Sequence, residues 1–238
     1  NDFVKKAKNA TFLFDRNFMD YHKDRFEDHS LLIYRNNKLF GLLPANRQKE
    51  GLHSHQGLTY GGFVWGSNAK FQDIALAVQT SLKFLKDQGI SDLHLKLLPD
   101  MYCKSPSQEI DYLLFLLQAE CTRVDLSSTI SRLENHRIRS SGRKDGFRKG
   151  ENHQLEIRED NEFKAFWEQI LEPQLMATHG VKPVHTWQEI QKLHQAFPKQ
   201  IKQVNVYHKD KIVGGTTLFL TEEVVHTQYI AANMQRQQ

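Results

Sequence analysis

Apolar positions along this chain switch between a period of two and a period near 3.6. Short apolar runs at Leu31 to Tyr34 and Lys38 to Leu43 flank Asn36 and Asn37, residues that tolerate left-handed backbone, so a hairpin is predicted there. Leu52 to Val64 reads as a third strand. Phe71, Ile74, Ala75, Val78, Leu82 and Leu85 then fall on one face of a helix that Gly89 stops. Asp92 to Pro99 alternates as a strand. Ser105, Pro106 and Gln108 supply an N-cap, a first-turn proline and a capping-box partner for a helix carrying Ile110, Leu113, Leu114 and Leu117. Thr122 to Ile130 alternates once more and is expected to close the unit as a strand.

The pattern then starts again. Asp160 can cap a helix carrying Phe163, Trp167, Ile170 and Leu171, kinked near Pro173 and ended by Gly180. Thr186 and Glu189 form a capping box for a helix with Ile190, Leu193 and Phe197. Three strands follow, at Ile201 to His208, Ile212 to Leu220 and Val224 to Ala232. Between the halves lies a basic, glycine-punctuated stretch. The expected organisation is therefore a mixed α/β chain of two domains, 1–131 and 151–238, joined by a basic linker at 132–150.

Composition narrows the class only a little. At 238 residues, with 39% hydrophobic and 25% charged residues, the chain can bury one large core or two modest ones. No apolar run has the length to cross a bilayer, so no integral membrane association is expected. The net charge of +4 is mild and concentrated in the linker, which does not by itself imply nucleic acid. Cys103 and Cys121 form no Cys-x-x-Cys pair and suggest no disulfide framework; with no basic-then-apolar leader and a first residue other than methionine, a trimmed, cytoplasmic protein is expected.

An internal repeat organises the rest. Tyr34, Lys38 and Gly41 fall on Tyr207, Lys211 and Gly214 without a gap; Asn37 meets Asp210 in the turn; further on, Glu50, Leu52, His53 and Ser54 meet Glu223, Val225, His226 and Thr227. The histidines of His53-Ser54-His55 could share a strand face and ligate zinc, but no third ligand is evident and the copy has Gln228 where His55 stands, so no metal is expected. Gly57, Gly61 and Gly62 suggest backbone bared for a ligand or a neighbouring loop. The second copy has no counterpart of Ser67 to Ile130, so a longer natural protein, or completion by another chain, is expected.

Ser30 to Tyr34 with Leu42-Leu-Pro-Ala-Asn46, then Ser54 to Gly62, Gly180-Val-Lys-Pro-Val-His185 and Val225 to Ala232, give the sequence its family look. In these phrases, and in the order of its elements, the chain resembles the tandem acyltransferases of the GNAT superfamily, most of all the Fem-type and FemAB-like members. The basic stretch is similar to the Arg-rich linker of that family. The resemblance implies two tandem GNAT-like domains, the second incomplete at its C-terminus. It also implies transfer of an acyl group, acetyl from acetyl-CoA, to a small-molecule or peptide amine, without a covalent intermediate; Fem-type members use aminoacyl-tRNA instead. In such folds splayed strands leave N–H groups free to polarise the thioester carbonyl. On that basis His226 is the candidate base, Tyr229 the proton donor to the leaving group and Gln228 a polar contact. His185 is a second base candidate, His55 and Tyr60 line the groove, and Ile230, Ala231 and Ala232 approach the cofactor.

Two rival readings use the same residues. One is a cofactor-free binding module for a peptide or cell-wall precursor, in which His226 and Tyr229 are packed strand residues. The other is nucleic-acid binding through Arg132, Arg137, Arg139, Arg143, Lys144, Arg148 and Lys149; against it, only Phe147 offers an aromatic platform.

Overall fold

A computed structural model describes residues 1–131, 138 and 140–233. The fold is mixed α/β, with three sheets among the described residues. The chain separates into two compact units that are not contiguous in sequence. The first comprises Asn1–Gln118, Lys192–Ile201 and Phe219–His226; the second comprises Ala119–Gln191, Lys202–Leu218 and Thr227 onward.

The first unit opens with short helices α1 (Asp2–Lys6) and α2 (Arg16–Met19), followed by β1 (Glu27–Asp28). The hairpin predicted around Asn36 and Asn37 forms, as β2 (Leu31–Arg35) and β3 (Lys38–Leu43). Pro44, with no N–H to donate, ends β3. The chain resumes as a second small hairpin, β4 (Asn46–Gln48) and β5 (Gly51–His53). The long third strand is not observed: β5 stops at His53, the glycine-rich loop doubles back, and Val64–Trp65 forms β6, which pairs with β3 in a different sheet. Helix α3 (Phe71–Asp87) buries Ile74, Ala77, Val78, Ser81 and Leu85, the spacing of one helical stripe, and Gly89 turns the chain at φ +72°. α3 thereby carries β5 over to β7 (Asp92–His94), which pairs with it in parallel: Gly51 with Asp92, Leu52 with Leu93, His53 with His94. Leu43, Leu52, Trp65, Ile74 and Leu85 form the core, each side chain contributing about 1.5–3 kcal/mol by leaving water. α4 spans Glu109–Leu116, starting three residues after Pro106 rather than at it.

In the second unit, Thr122 to Ile130 is not a strand. Val124, Leu126 and Ile130 are 84%, 100% and 84% exposed, and alternation alone makes no strand where no neighbour offers a ladder. Part of the expected linker is helical: Ser140 caps α5 (Ser141–Asn152), with its hydroxyl accepting from the Arg143 N–H. Next come β8 (Glu156–Glu159), which sequence reading missed, and α6 (Phe163–Phe166). A π-helical turn over Trp167–Leu171 leads into α7 (Glu172–His179), which ends on left-handed Gly180. α8 (Trp187–Ala196) precedes β9 (Ile201–His208), β10 (Lys211–Leu220) and β11 (Val225–Ala232), and the sheet runs β11-β10-β9-β8. A buried polar row crosses it: Thr217 Oγ1 donates to Gln203 Oε1 (2.6 Å), Gln203 Nε2 to Asn205 Oδ1 (2.8 Å), and Asn205 Nδ2 to Asp160 Oδ1 (2.7 Å).

The repeat has a backbone counterpart. Asn36 and Asn37 sit at φ 48° and 60°, Lys209 and Asp210 at 48° and 62°, so both hairpins close on the same left-handed two-residue turn. At the same offset, Gln48 faces Gly51 across the β4–β5 turn, and the Thr221 N–H donates to the Val224 carbonyl. The copies differ where Pro44 is matched by Thr217, which lets β10 run unbroken. Lysine gains nothing from left-handed backbone. Lys209→Asn is therefore expected to stabilise the protein by about 0.5–1 kcal/mol in urea melts; an unchanged or lower midpoint would contradict this account of the turn.

Candidate functional site

In the second unit the chemistry gathers around Tyr229. The Thr186 N–H donates to Glu189 Oε2 (2.7 Å) and the Glu189 N–H returns to Thr186 Oγ1 (3.2 Å), the reciprocal box expected from sequence. That box fixes the backbone just after His185. Trp167, fully buried, holds His185 from the other side: its Nε1–H donates to the His185 carbonyl at 2.8 Å, and its ring meets Tyr229 edge-on at 5.1 Å. His185, itself buried, places Nδ1 2.5 Å from Tyr229 Oη and donates its backbone N–H to the same oxygen at 3.3 Å. Burial pushes the Tyr229 phenol up to about 12, against hydrogen bonds from the His185 backbone and the Gln228 side chain that pull it down. At neutral pH the phenol therefore keeps its proton. Gln228 Oε1 is buried, with no hydrogen-bond partner among the described residues. Ile230, Ala231 and Ala232 end β11, the edge strand of its sheet, with Ile230 exposed.

In the first unit, His226 Nδ1 lies 3.0 Å from the hydroxyl of Tyr102. The Tyr102 ring packs at 4.9 Å on Tyr60, whose hydroxyl donates to Thr11 Oγ1 at 3.0 Å; burial raises both phenols. Tyr60 and His226 are thus joined through Tyr102, a residue the sequence reading passed over because it sits in a short 3-10 turn with no periodicity to mark it. His55 lies elsewhere: buried, 5.5 Å from the Phe26 ring, with Nδ1 accepting from the Gly57 N–H. His226 and Tyr229 are not brought together. An odd separation along a strand sends two side chains to opposite faces, and each of these has found its own partner.

The resemblance implies splayed strands in the later copy; in the first unit β5 and β7 stay joined past their paired residues. Beyond His53 and His94 the ladder continues with the Ser54 N–H donating to the His94 carbonyl (2.9 Å), the Lys96 N–H to Ser54 Oγ (2.8 Å) and the Gly61 N–H to the Lys96 carbonyl (2.5 Å). These three N–H groups are thus taken up within the loop and the strand beside it. His53 and His94 stack at 4.4 Å with rings 7° from parallel. Among the described residues, no three or more His, Cys, Asp or Glu side chains converge as a metal cluster.

Desolvation, and then the charge of His94, hold His53 below its usual 6.5. Folding thus favours the neutral ring, and the resulting stability is complete above pH 6.5 and lost as pH falls toward the lowered value. Thermal melts are expected to show a lower midpoint at pH 5 than at pH 8, with His53→Gln flattening the difference. An unaltered pH slope in that variant would rule His53 out.

Of the basic residues proposed for nucleic acid, Arg143, Lys144, Arg148 and Lys149 lie exposed on α5, whereas Arg132, Arg137 and Arg139 fall outside the described residues.

No protein-family model and no curated protein matches this sequence. In fold, the chain is similar to the C-terminal DUF2156 domain of a protein assigned as a lysylphosphatidylglycerol synthetase from Agrobacterium fabrum. The identity is 10% and the TM-score 0.46, over 88% of this chain and 61% of that one. The chain therefore spans about three fifths of the length of the structure it matches. No helix among the described residues is long and apolar enough to cross a membrane.

Proposed function

We propose that this chain belongs to an N-acyltransferase of the tandem GNAT type, in which a neutral amine attacks the acyl carbonyl of a thioester such as acetyl-CoA at the outer edge of β11. The observation that carries this reading is the contact between His185 Nδ1 and Tyr229 Oη. A phenol raised to about 12 stays protonated at neutral pH, so its proton is in place when the leaving group departs. As the C–N bond forms and the C–S bond breaks, Tyr229 gives its proton to the departing thiolate and takes one from His185 Nδ1. The proton released by the amine restores the imidazole.

In this proposal the acyl carrier lies along β11 and not between β5 and β7. Between β5 and β7 the Ser54, Lys96 and Gly61 N–H groups are already hydrogen-bonded within the loop and strand. Ile230, Ala231 and Ala232, by contrast, lie on an edge strand whose outward N–H and C=O groups face no further strand among the described residues. Held there, coenzyme A would supply the activated acyl group, and the chain would supply position and protons.

Calorimetric titration with acetyl-CoA and, separately, with aminoacyl-tRNA distinguishes the two donors, and mass spectrometry of amine mixtures reports the product. Saturable binding of either donor with product formation is expected. No binding of acetyl-CoA at millimolar concentration, with none of aminoacyl-tRNA, would replace this reading with that of a binding module.

A further inference from the structure

His53 was read from sequence beside His55, where a metal site lacked a third ligand. The fold gives it a different neighbour. Parallel pairing sets His94 directly opposite His53 on the adjacent strand, and the two rings stack at 4.4 Å. Asp92 and His94 alternate along β7 onto one face, as Gly51 and His53 do along β5, while Leu52 and Leu93 take the other. Gly51 has no side chain to fill the space between them. A Cβ built there would lie 3.6 Å from His53 Nε2 and 3.8 Å from His94 Cδ2, so both rings border the hollow over Gly51, His53 through its Nε2 and His94 through a ring carbon. That hollow is part of an open cleft of about 440 Å³ that Gln48, Glu50 and Asp92 also line.

We propose that His53 and His94 form a two-imidazole chelate for a first-row divalent transition metal ion of the Zn²⁺ or Cu²⁺ class, with Asp92 and Glu50 supplying the surrounding negative charge. Imidazole suits these ions, and a register-fixed pair on two rigid strands brings two nitrogen donors within reach of one ion without ordering a loop. The lone pairs of stacked rings run parallel, so the rings must turn about Cβ–Cγ to converge; the open cleft leaves them room to do so. Lys49 lines the same cleft and opposes cation binding, but two carboxylates outweigh one ammonium. Two protein donors leave the remaining positions to water, which places this site among exchangeable surface sites rather than closed structural ones. An ion held this way clamps β5 to β7 and raises the stability of the first unit by mass action.

The test is titration of the 238-residue chain with Cu²⁺, followed by electron paramagnetic resonance, with Zn²⁺ titrated by calorimetry. One equivalent is expected, with hyperfine coupling to two imidazole nitrogens. His53→Gln and His94→Gln should each leave one coupled nitrogen and weaken binding by roughly tenfold or more, while circular dichroism shows both variants folded. The chain has twelve histidines, so the double variant is the control. Unchanged stoichiometry and nitrogen count in that variant would place the ion elsewhere and overturn the proposal, as would no saturable binding below millimolar metal.

Discussion

Tyr229→Phe is expected to lower kcat for acyl transfer by about 10²–10⁴-fold, the usual contribution of a positioned proton donor, while KM for the acyl donor barely moves. The change removes one oxygen and keeps the ring that packs edge-on against Trp167 at 5.1 Å, so the fold should survive. His185→Gln should lower kcat in the same direction, because Tyr229 loses the group 2.5 Å away that resupplies its proton. In the proposed relay the two act together, so the double variant should be little worse than the poorer single one. Stopped-flow measurement of thiol release with a saturating amine reads both. Full activity in Tyr229→Phe would end the role given to the phenol, and an additive double variant would end the relay.

Gly61→Ala is expected to cost about 3 kcal/mol or more in urea unfolding, placing it among the most damaging single changes in the chain. A Cβ at that position would lie 1.7 Å from the Ser54 carbonyl oxygen, which is backbone and cannot swing aside. Relieving the overlap means moving the loop off β7 and losing the Gly61 N–H bond to the Lys96 carbonyl. Gly89→Ala is the matched comparison. Its φ of +72° strains any side chain, but nothing lies within 4 Å, so about 1 kcal/mol is expected. Equal losses at the two positions would show that the loop after β5 is not pinned as described.

Local signals were legible wherever one or two residues decide the backbone. Asn36 and Asn37 announce a left-handed turn, Thr186 and Glu189 a helix start, Gly89 and Gly180 helix ends, and each is found in place. The likeness of the two hairpin turns could be read for the same reason, since Asn36-Asn37 and Lys209-Asp210 each decide their own backbone. Thr122 to Ile130 failed because a strand needs a neighbour, and no pattern within nine residues reports whether one is there. The third strand failed at Ser54, where a hydroxyl and three glycines commit the chain to its own loop.

The site residues divide along the same line. Their identities, spacings and the faces they take on a strand follow from the chain alone, since strand geometry repeats every two residues. Which residue meets which does not. His185 reaches Tyr229 across 44 positions, Tyr102 reaches His226 across 124, and His94 reaches His53 across 41 through the α3 crossover. Contacts over such distances are chosen by the packing of whole sheets and helices around buried residues such as Trp167 and Leu52, and no window of sequence contains them.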